Sequence, residues 1–277
     1  MLSEGIHSLV DTGNQVLLLY GLHRAKLPPS PEFPFGHGKE VYFWCFIVAM
    51  LIFALGGAFS IYQGWQHLSH SEPIENISIN YAVLGFAMVF EAGALWVAFK
   101  EFNLSRGKQS IIKAIRRGKD PTLFVVVFED TAAMLGLLIA FVGLLLYQLT
   151  GNPIWDALAS ISIGVVLIVT AWCLAIESKG LLIGESAEPE VEAGIRAIFQ
   201  ADQRILQVNE VATLHMGPDF IVVTLSVDFA PGIDSDRLES SVTELTQRVR
   251  AIDARIQRVF IEAEGGADHR RETVGQE

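Results

Sequence analysis

Long apolar runs fill the first 183 residues, and then the period of the pattern changes. Tyr42 to Trp65, Ile79 to Phe99, Leu123 to Leu149 and Ile154 to Ile176 are dominated by aliphatic and aromatic side chains. A helix needs about 20 mostly apolar residues to cross the hydrocarbon core of a bilayer. Each of these four runs therefore predicts a transmembrane helix. Leu9 to Leu22 is a shorter fifth run, and it spans only if the polar stretch Ser3 to Asn14 lies inside a bundle.

Beyond Gly184 the apolar runs give way to short amphipathic patterns. Val191, Ile195, Ile198 and Phe199 share one face of a predicted helix over Glu188 to Ala201. Ile205 to Met216 reads as a strand. In "FIVVTLSVDF" Ile221, Val223, Leu225, Val227 and Phe229 alternate with Val222, Thr224, Ser226 and Asp228, which predicts a strand buried on one face. Asp234 or Ser235 can cap the next helix, which runs to about Ala251, and Arg258 to Glu264 closes as a last strand. The order αββαβ predicts a small open-faced α+β sandwich of ferredoxin-like type. The expected organisation is a membrane domain over 1–183, a soluble domain over 184–264 and a disordered tail over 265–277.

Composition agrees: 51% of the residues are hydrophobic and 18% charged, too apolar for an ordinary soluble domain. No basic segment precedes the first run, so no cleavable signal peptide is expected. Cys45 and Cys173 both fall in predicted spans and suggest no disulfide framework. Arg24, Lys26 and Lys39 lie between the first two spans. Lys100, Arg106, Lys108, Lys113, Arg116, Arg117 and Lys119 lie between the third and fourth. The other two connections, "HLSHSEPIENIS" and "QLTGNP", contain no Lys or Arg. Lysine and arginine mark the cytoplasmic side, so the two basic loops and the C-terminal domain should face the cytoplasm. That leaves the N-terminus outside with five spans, an odd number that predicts a further span before residue 1. From Glu185 onward there are 18 acidic residues, nine arginines and no lysine. Such a domain repels nucleic acid, and its strands lack the exposed aromatic pairs that stack on RNA bases.

Polar groups inside the predicted bundle carry the candidate chemistry, because an ionisable group at membrane depth is costly. His7, Asp11 and Asn14 are spaced i, i+4, i+7 and fall within about 60° of one another on a helix. Glu91 sits mid-span in "MVFEAGALW", and Glu129 and Asp130 lie early in the span containing "VVVFEDTAAMLG". No Lys or Arg accompanies them, so these acids need a cation or a proton. An imidazole nitrogen with carboxylate oxygens suits Zn²⁺ and its neighbours Mn²⁺, Fe²⁺ and Co²⁺. The plainer reading, in which His7 and Asp11 only bond each other, is outweighed by carboxylates on two further spans. His23, His67, His70 and His269 read as solvated. An intramembrane metalloprotease would need an H-E-x-x-H helix, and the chain has none, so no enzyme is expected.

Several stretches taken together resemble the cation diffusion facilitator family. They are "SEGIHSLVDTGNQ" with its His-x-x-x-Asp, "FGHGKE" before the next span, the acidic "EDTAA", "NPIWDALASISIG" opening the last span, and the αββαβ domain. The "EDTAA" pattern is similar to the branch that includes the mitochondrial zinc transporter and its bacterial relatives. The resemblance implies a six-span homodimer that exchanges a divalent metal for protons, with the family's first span absent here. It carries His7, Asp11 and Asp130 over as metal ligands. Val126 stands where the family's second histidine belongs, which opens the site to harder ions such as Mn²⁺. Glu129 and Glu91 are further candidate ligands, and Asn14 a weaker one. Adjacent helical positions point about 100° apart, which sets Glu129 and Asp130 in different directions. The family's loop and C-terminal metal sites look eroded. His37 and Glu32 remain in the loop, and His215, Glu262 and Glu264 in the C-terminal domain, read as packed or solvated residues. The resemblance also pairs Lys39 with an acid such as Glu185 across the dimer. The expected function is proton-coupled efflux of a divalent metal, Zn²⁺ first, across a bacterial inner membrane. The alternatives are a non-transporting metal-sensing subunit and a passive metal channel.

Overall fold

The computed structural model describes residues 2–69, 77–106, 110, 118, 121–266, 269 and 271, and of residues 2–11 it gives the backbone. The first unit is built from α1 (Leu2–Ala25), α2 (Glu40–Ser69), α3 (Ile77–Arg106), α4 (Pro121–Thr150) and α5 (Ile154–Ile183). Among the described residues, α2 to α5 are each 30 residues long and apolar enough to cross a membrane. α1 is the expected fifth helix, and α2 contains wider π-type turns over Ile52–Ala58.

Without a hydrophobic drive between helices in lipid, small residues decide how closely helices approach. α2 and α5 meet antiparallel along a glycine seam. A Cβ on Gly57 would come within 3.2 Å of Gly164 O, and one on Gly64 within 2.8 Å of Ala157 O. Between these positions the Ser60 hydroxyl donates to Ser160 O at 3.0 Å. Gly143 brings α4 against α5 in the same way, since its Cβ would sit 2.6 Å from that of Ala159. At the other end of the bundle Gly21 of α1 lies under Trp44 of α2, and the Arg24 guanidinium grips both Glu40 oxygens at 2.8 to 3.1 Å. A Cβ at position 164 would lie 2.5 Å from Ile61 Cγ1 and 2.8 Å from Gly57 O. Gly164→Val is therefore expected to force the two helices apart, at about 1–3 kcal/mol or more. A lowered midpoint in a thermal aggregation assay read by size-exclusion chromatography checks this, and an unchanged midpoint would show the seam to be loose.

The second unit comprises Leu181–Glu277 together with Leu27–Lys39, the loop between α1 and α2. It contains α6 (Pro189–Gln200), β1 (Ile205–Gly217), β2 (Phe220–Phe229), α7 (Ser235–Arg250) and β3 (Ile256–Ala263). β2 is the middle strand, antiparallel to β1 and parallel to β3. α7 makes the crossover between β2 and β3, and the Asp234 side chain caps it by accepting from Arg237 N at 2.9 Å. Ile195, Phe199, Ile221, Val223, Val227, Leu245 and Val249 form the centre of its core. The expected one-sided burial of β2 is only partly realised. Val222 and Ser226, on the face assigned to solvent, are 8% and 6% exposed. Both sit on the central strand between β1 and β3, and Ser226 is covered by Asn209 and Glu264.

Arg204 and Arg248 of this unit both reach Asp202, at 2.7 and 3.3 Å. The Arg204 hydrogen bonds hold the Asp202 carboxyl at about 2, well below the usual carboxylate range, against the opposing effect of burial.

The loop 27–39, part of the basic connection between the first two spans, lies on the end of the β1–β2 hairpin. Gly38 packs on Met216 O and Gly217 Cα, where a Cβ would come within 2.5 and 3.1 Å, and Phe35 faces Phe220 with ring centroids 6.4 Å apart. Lys39 Nζ donates to Leu182 O and Ile183 O at 3.3 and 3.4 Å. These are the final carbonyls of α5, which lack partners within the helix and attract a cation. The structure therefore gives Lys39 a role as a helix cap within its own chain.

Candidate metal site in the helical bundle

α1 runs without interruption through "SEGIHSLVDTGNQ", so His7, Asp11 and Asn14 hold the expected i, i+4, i+7 positions on one helix. The side chains of His7 and Asp11 lie outside the described part of the structure. Asn14 is described, and it is fully buried. Its Nδ2 donates to Glu129 Oε1 of α4 at 2.8 Å. The stripe that carries His7 and Asp11 thus meets α4 at its third position, one turn beyond Asp11.

α4 delivers two adjacent acids to the interior. Glu129 is 9% exposed and Asp130 is 8% exposed, with Val125, Ala132 and Ala133 buried around them in sequence. Because they differ in direction by about 100°, Glu129 is engaged by Asn14 while Asp130 faces elsewhere in the interior. The Thr131 hydroxyl is directed to Val127 O at 2.6 Å. Buried carboxylates are tolerable only with hydrogen bonds, a cation or a proton. The described part of this site is one amide and two carboxylates. Glu91 is partly buried halfway along α3, whose long contact is with α4.

The remaining candidates do not assemble into a site. His37 packs against Phe33 with its ring tilted by 44° and the centroids 4.5 Å apart, and Glu32 is exposed. His215 is fully buried on the core face of β1, and its Nδ1 lies 3.2 Å from Gly217 O. Its register partner is Ile221, whereas Glu262 pairs with Ser226 on the far side of β2. Five residues of strand, about 16 Å, separate the two positions along the sheet. His215 is therefore not brought together with Glu262 or Glu264. Glu262 is exposed, and Glu264 accepts from the Ser226 hydroxyl at 2.6 Å and contacts His269 Nδ1 at 2.8 Å. The Ser226 hydrogen bond, with that of His269 adding to it, lowers the Glu264 carboxyl below its ordinary range. His269 lies in the segment expected to be disordered, yet it has this partner, and Gly266 N donates to Asp228 Oδ2 at 3.0 Å. His67 pairs with Asp156 at 2.9 Å. Among the described residues no group of three or more His, Cys, Asp or Glu side chains is clustered for metal binding.

Sequence spacing located the stripe on α1 but not its partner. Asn14 and Glu129 are 115 positions apart, and nothing local to either announces the bond.

Residues 1–183 match the family model described as the cation efflux transmembrane domain. The human protein named "Proton-coupled zinc antiporter SLC30A9, mitochondrial" is 33% identical over 231 residues, covering 83% of this chain and 41% of that protein. "Metal tolerance protein C4" of Arabidopsis thaliana is 32% identical over 231 residues, covering 83% of this chain and 50% of that protein. The "Manganese efflux system protein MneP" of Bacillus subtilis is 24% identical over 237 residues, covering 82% of this chain and 73% of that protein. The chain spans about half the length of the first two.

Proposed function

The chain belongs to the cation diffusion facilitator family of divalent-cation transporters, and on that premise we propose that it is a proton-coupled efflux antiporter with Zn²⁺ as its main cargo. The observation that carries the reading is the buried Asn14–Glu129 contact with Asp130 beside it, at the end of the stripe that holds His7 and Asp11. His7, Asp11 and Asp130 are the ligands in this reading, and Glu129 and Glu91 are the reserve carboxylates. One nitrogen with oxygen donors suits Zn²⁺, and the relatives named as zinc antiporters support that cargo. Val126 in place of a second histidine favours Mn²⁺ as a further cargo, in line with the manganese-named relative.

Metal binding needs a neutral His7 and ionised carboxylates, so metal and protons compete for the same atoms. In this reading the membrane is a bacterial inner membrane, the basic loops favour a cytoplasmic C-terminal domain, and the metal would be exported from that side. The working unit is a twofold homodimer, the commonest closed assembly. The test is uptake of Zn²⁺, Mn²⁺, Fe²⁺ and Co²⁺ by proteoliposomes holding the purified full chain. Saturable uptake with Zn²⁺ preferred supports the proposal, and uptake of none of the four overturns it.

A further inference from the structure

The Asn14 side chain is half satisfied. The amide presents its Nδ2 to Glu129 Oε1 at 2.8 Å, the orientation that suits an ionised carboxylate, which can only accept. That contact fixes the orientation of the amide and leaves Oδ1 on the other side of it. Asn14 is fully buried, and among the described residues Oδ1 has no hydrogen-bond partner. Buried polar atoms are normally paired, and an exception calls for a reason. Here the oxygen is bonded to the same carbon as the nitrogen that grips Glu129, so it stands beside that carboxylate. It belongs to the helix stripe of His7 and Asp11. A neutral carbonyl oxygen is a hard donor of the kind that suits Mn²⁺ more than Zn²⁺.

We propose that Asn14 is a specificity-determining residue of the transport site, its Oδ1 donating to the bound cation while Glu129 holds its Nδ2. The inference rests on the reading of this bundle as a divalent-metal carrier. Asn14 then supplies a donor that the family-derived ligand set of His7, Asp11 and Asp130 does not include. It adds oxygen character without adding negative charge, and so admits the harder ion alongside Zn²⁺. Glu129 acts as a positioning residue, since it sets which end of the amide faces the ion.

The experiment compares wild type, Asn14→Leu and Asn14→Asp in proteoliposomes, with KM for Mn²⁺ and for Zn²⁺ measured separately. Asn14→Leu keeps the branched skeleton of the side chain and removes the oxygen, whereas Asn14→Asp keeps an oxygen in the same place. The expected result is a rise of about 10-fold or more in KM for Mn²⁺ with Asn14→Leu, and a smaller rise for Zn²⁺. Asn14→Asp should recover Mn²⁺ transport, which a purely structural hydrogen bond to Glu129 would not predict. A second measurement does not depend on the folding of any variant: electron–nuclear double resonance of Mn²⁺ bound to wild type carrying ¹³Cγ-asparagine. A ¹³C coupling of directly ligated strength supports the proposal. No such coupling, an unchanged Mn²⁺ to Zn²⁺ ratio in Asn14→Leu, or identical behaviour of the two variants overturns it. Wild type that carries neither ion overturns the transport reading, and this inference with it.

Discussion

Asp11→Ala and Asp130→Ala, made separately, are each expected to reduce metal uptake to the level of empty vesicles. Outer-shell partners of a metal ligand are worth about 10- to 100-fold in affinity, so a direct ligand should cost at least about 100-fold. The fold should survive both changes. An ionised carboxylate in a membrane interior is expensive, and replacing it with a small apolar group removes that cost. Asp130 is 8% exposed on a helix otherwise lined by Val125, Ala132 and Ala133, where alanine is well accommodated. The measurement is uptake beside a thermal midpoint and an elution profile for each variant. Normal transport by either variant removes that aspartate from the ligand set. Loss of the folded peak would show that the carboxylate supports the bundle.

A pH gradient alone is expected to drive the metal uphill. With equal metal on both sides, vesicles more acidic inside than outside should accumulate it, and reversing the gradient should reverse the flux. A free imidazole titrates near pH 6.5, within reach of such a gradient. On the acidic side protons therefore take the imidazole and one or more carboxylates, and the ion leaves. On the other side those protons leave and the site reloads. Flux that follows the metal gradient and ignores the pH gradient would make a passive channel the better account.

Much of the architecture was legible because it is local. A run of about 20 apolar residues has few outcomes other than a spanning helix, and all four long runs became 30-residue helices. The C-terminal elements followed from equally local signals: period 3.6 for α6, period 2 for β2, and a cap signal at Asp234 or Ser235 for α7. The stripe on α1 was legible for the same reason, since helical spacing alone aligns His7, Asp11 and Asn14.

The tertiary structure decided what depends on contact between distant segments. Which glycines form a seam is a matter of which helix lies opposite, and Gly57, Gly64 and Gly164 look like any others in the sequence. Burial of Val222 and Ser226 required knowing that β2 is the middle strand. The same strand order holds His215 away from Glu262, two residues that the resemblance had grouped in one site. Lys39 found the carbonyls of Leu182 and Ile183, backbone groups that no side-chain pattern reveals. Asn14 found Glu129 across 115 residues, because a buried amide takes whatever acceptor the packing brings within hydrogen-bond distance. Periodicity sets which face of an element carries polar groups, but only the packing of one face on another chooses their partners.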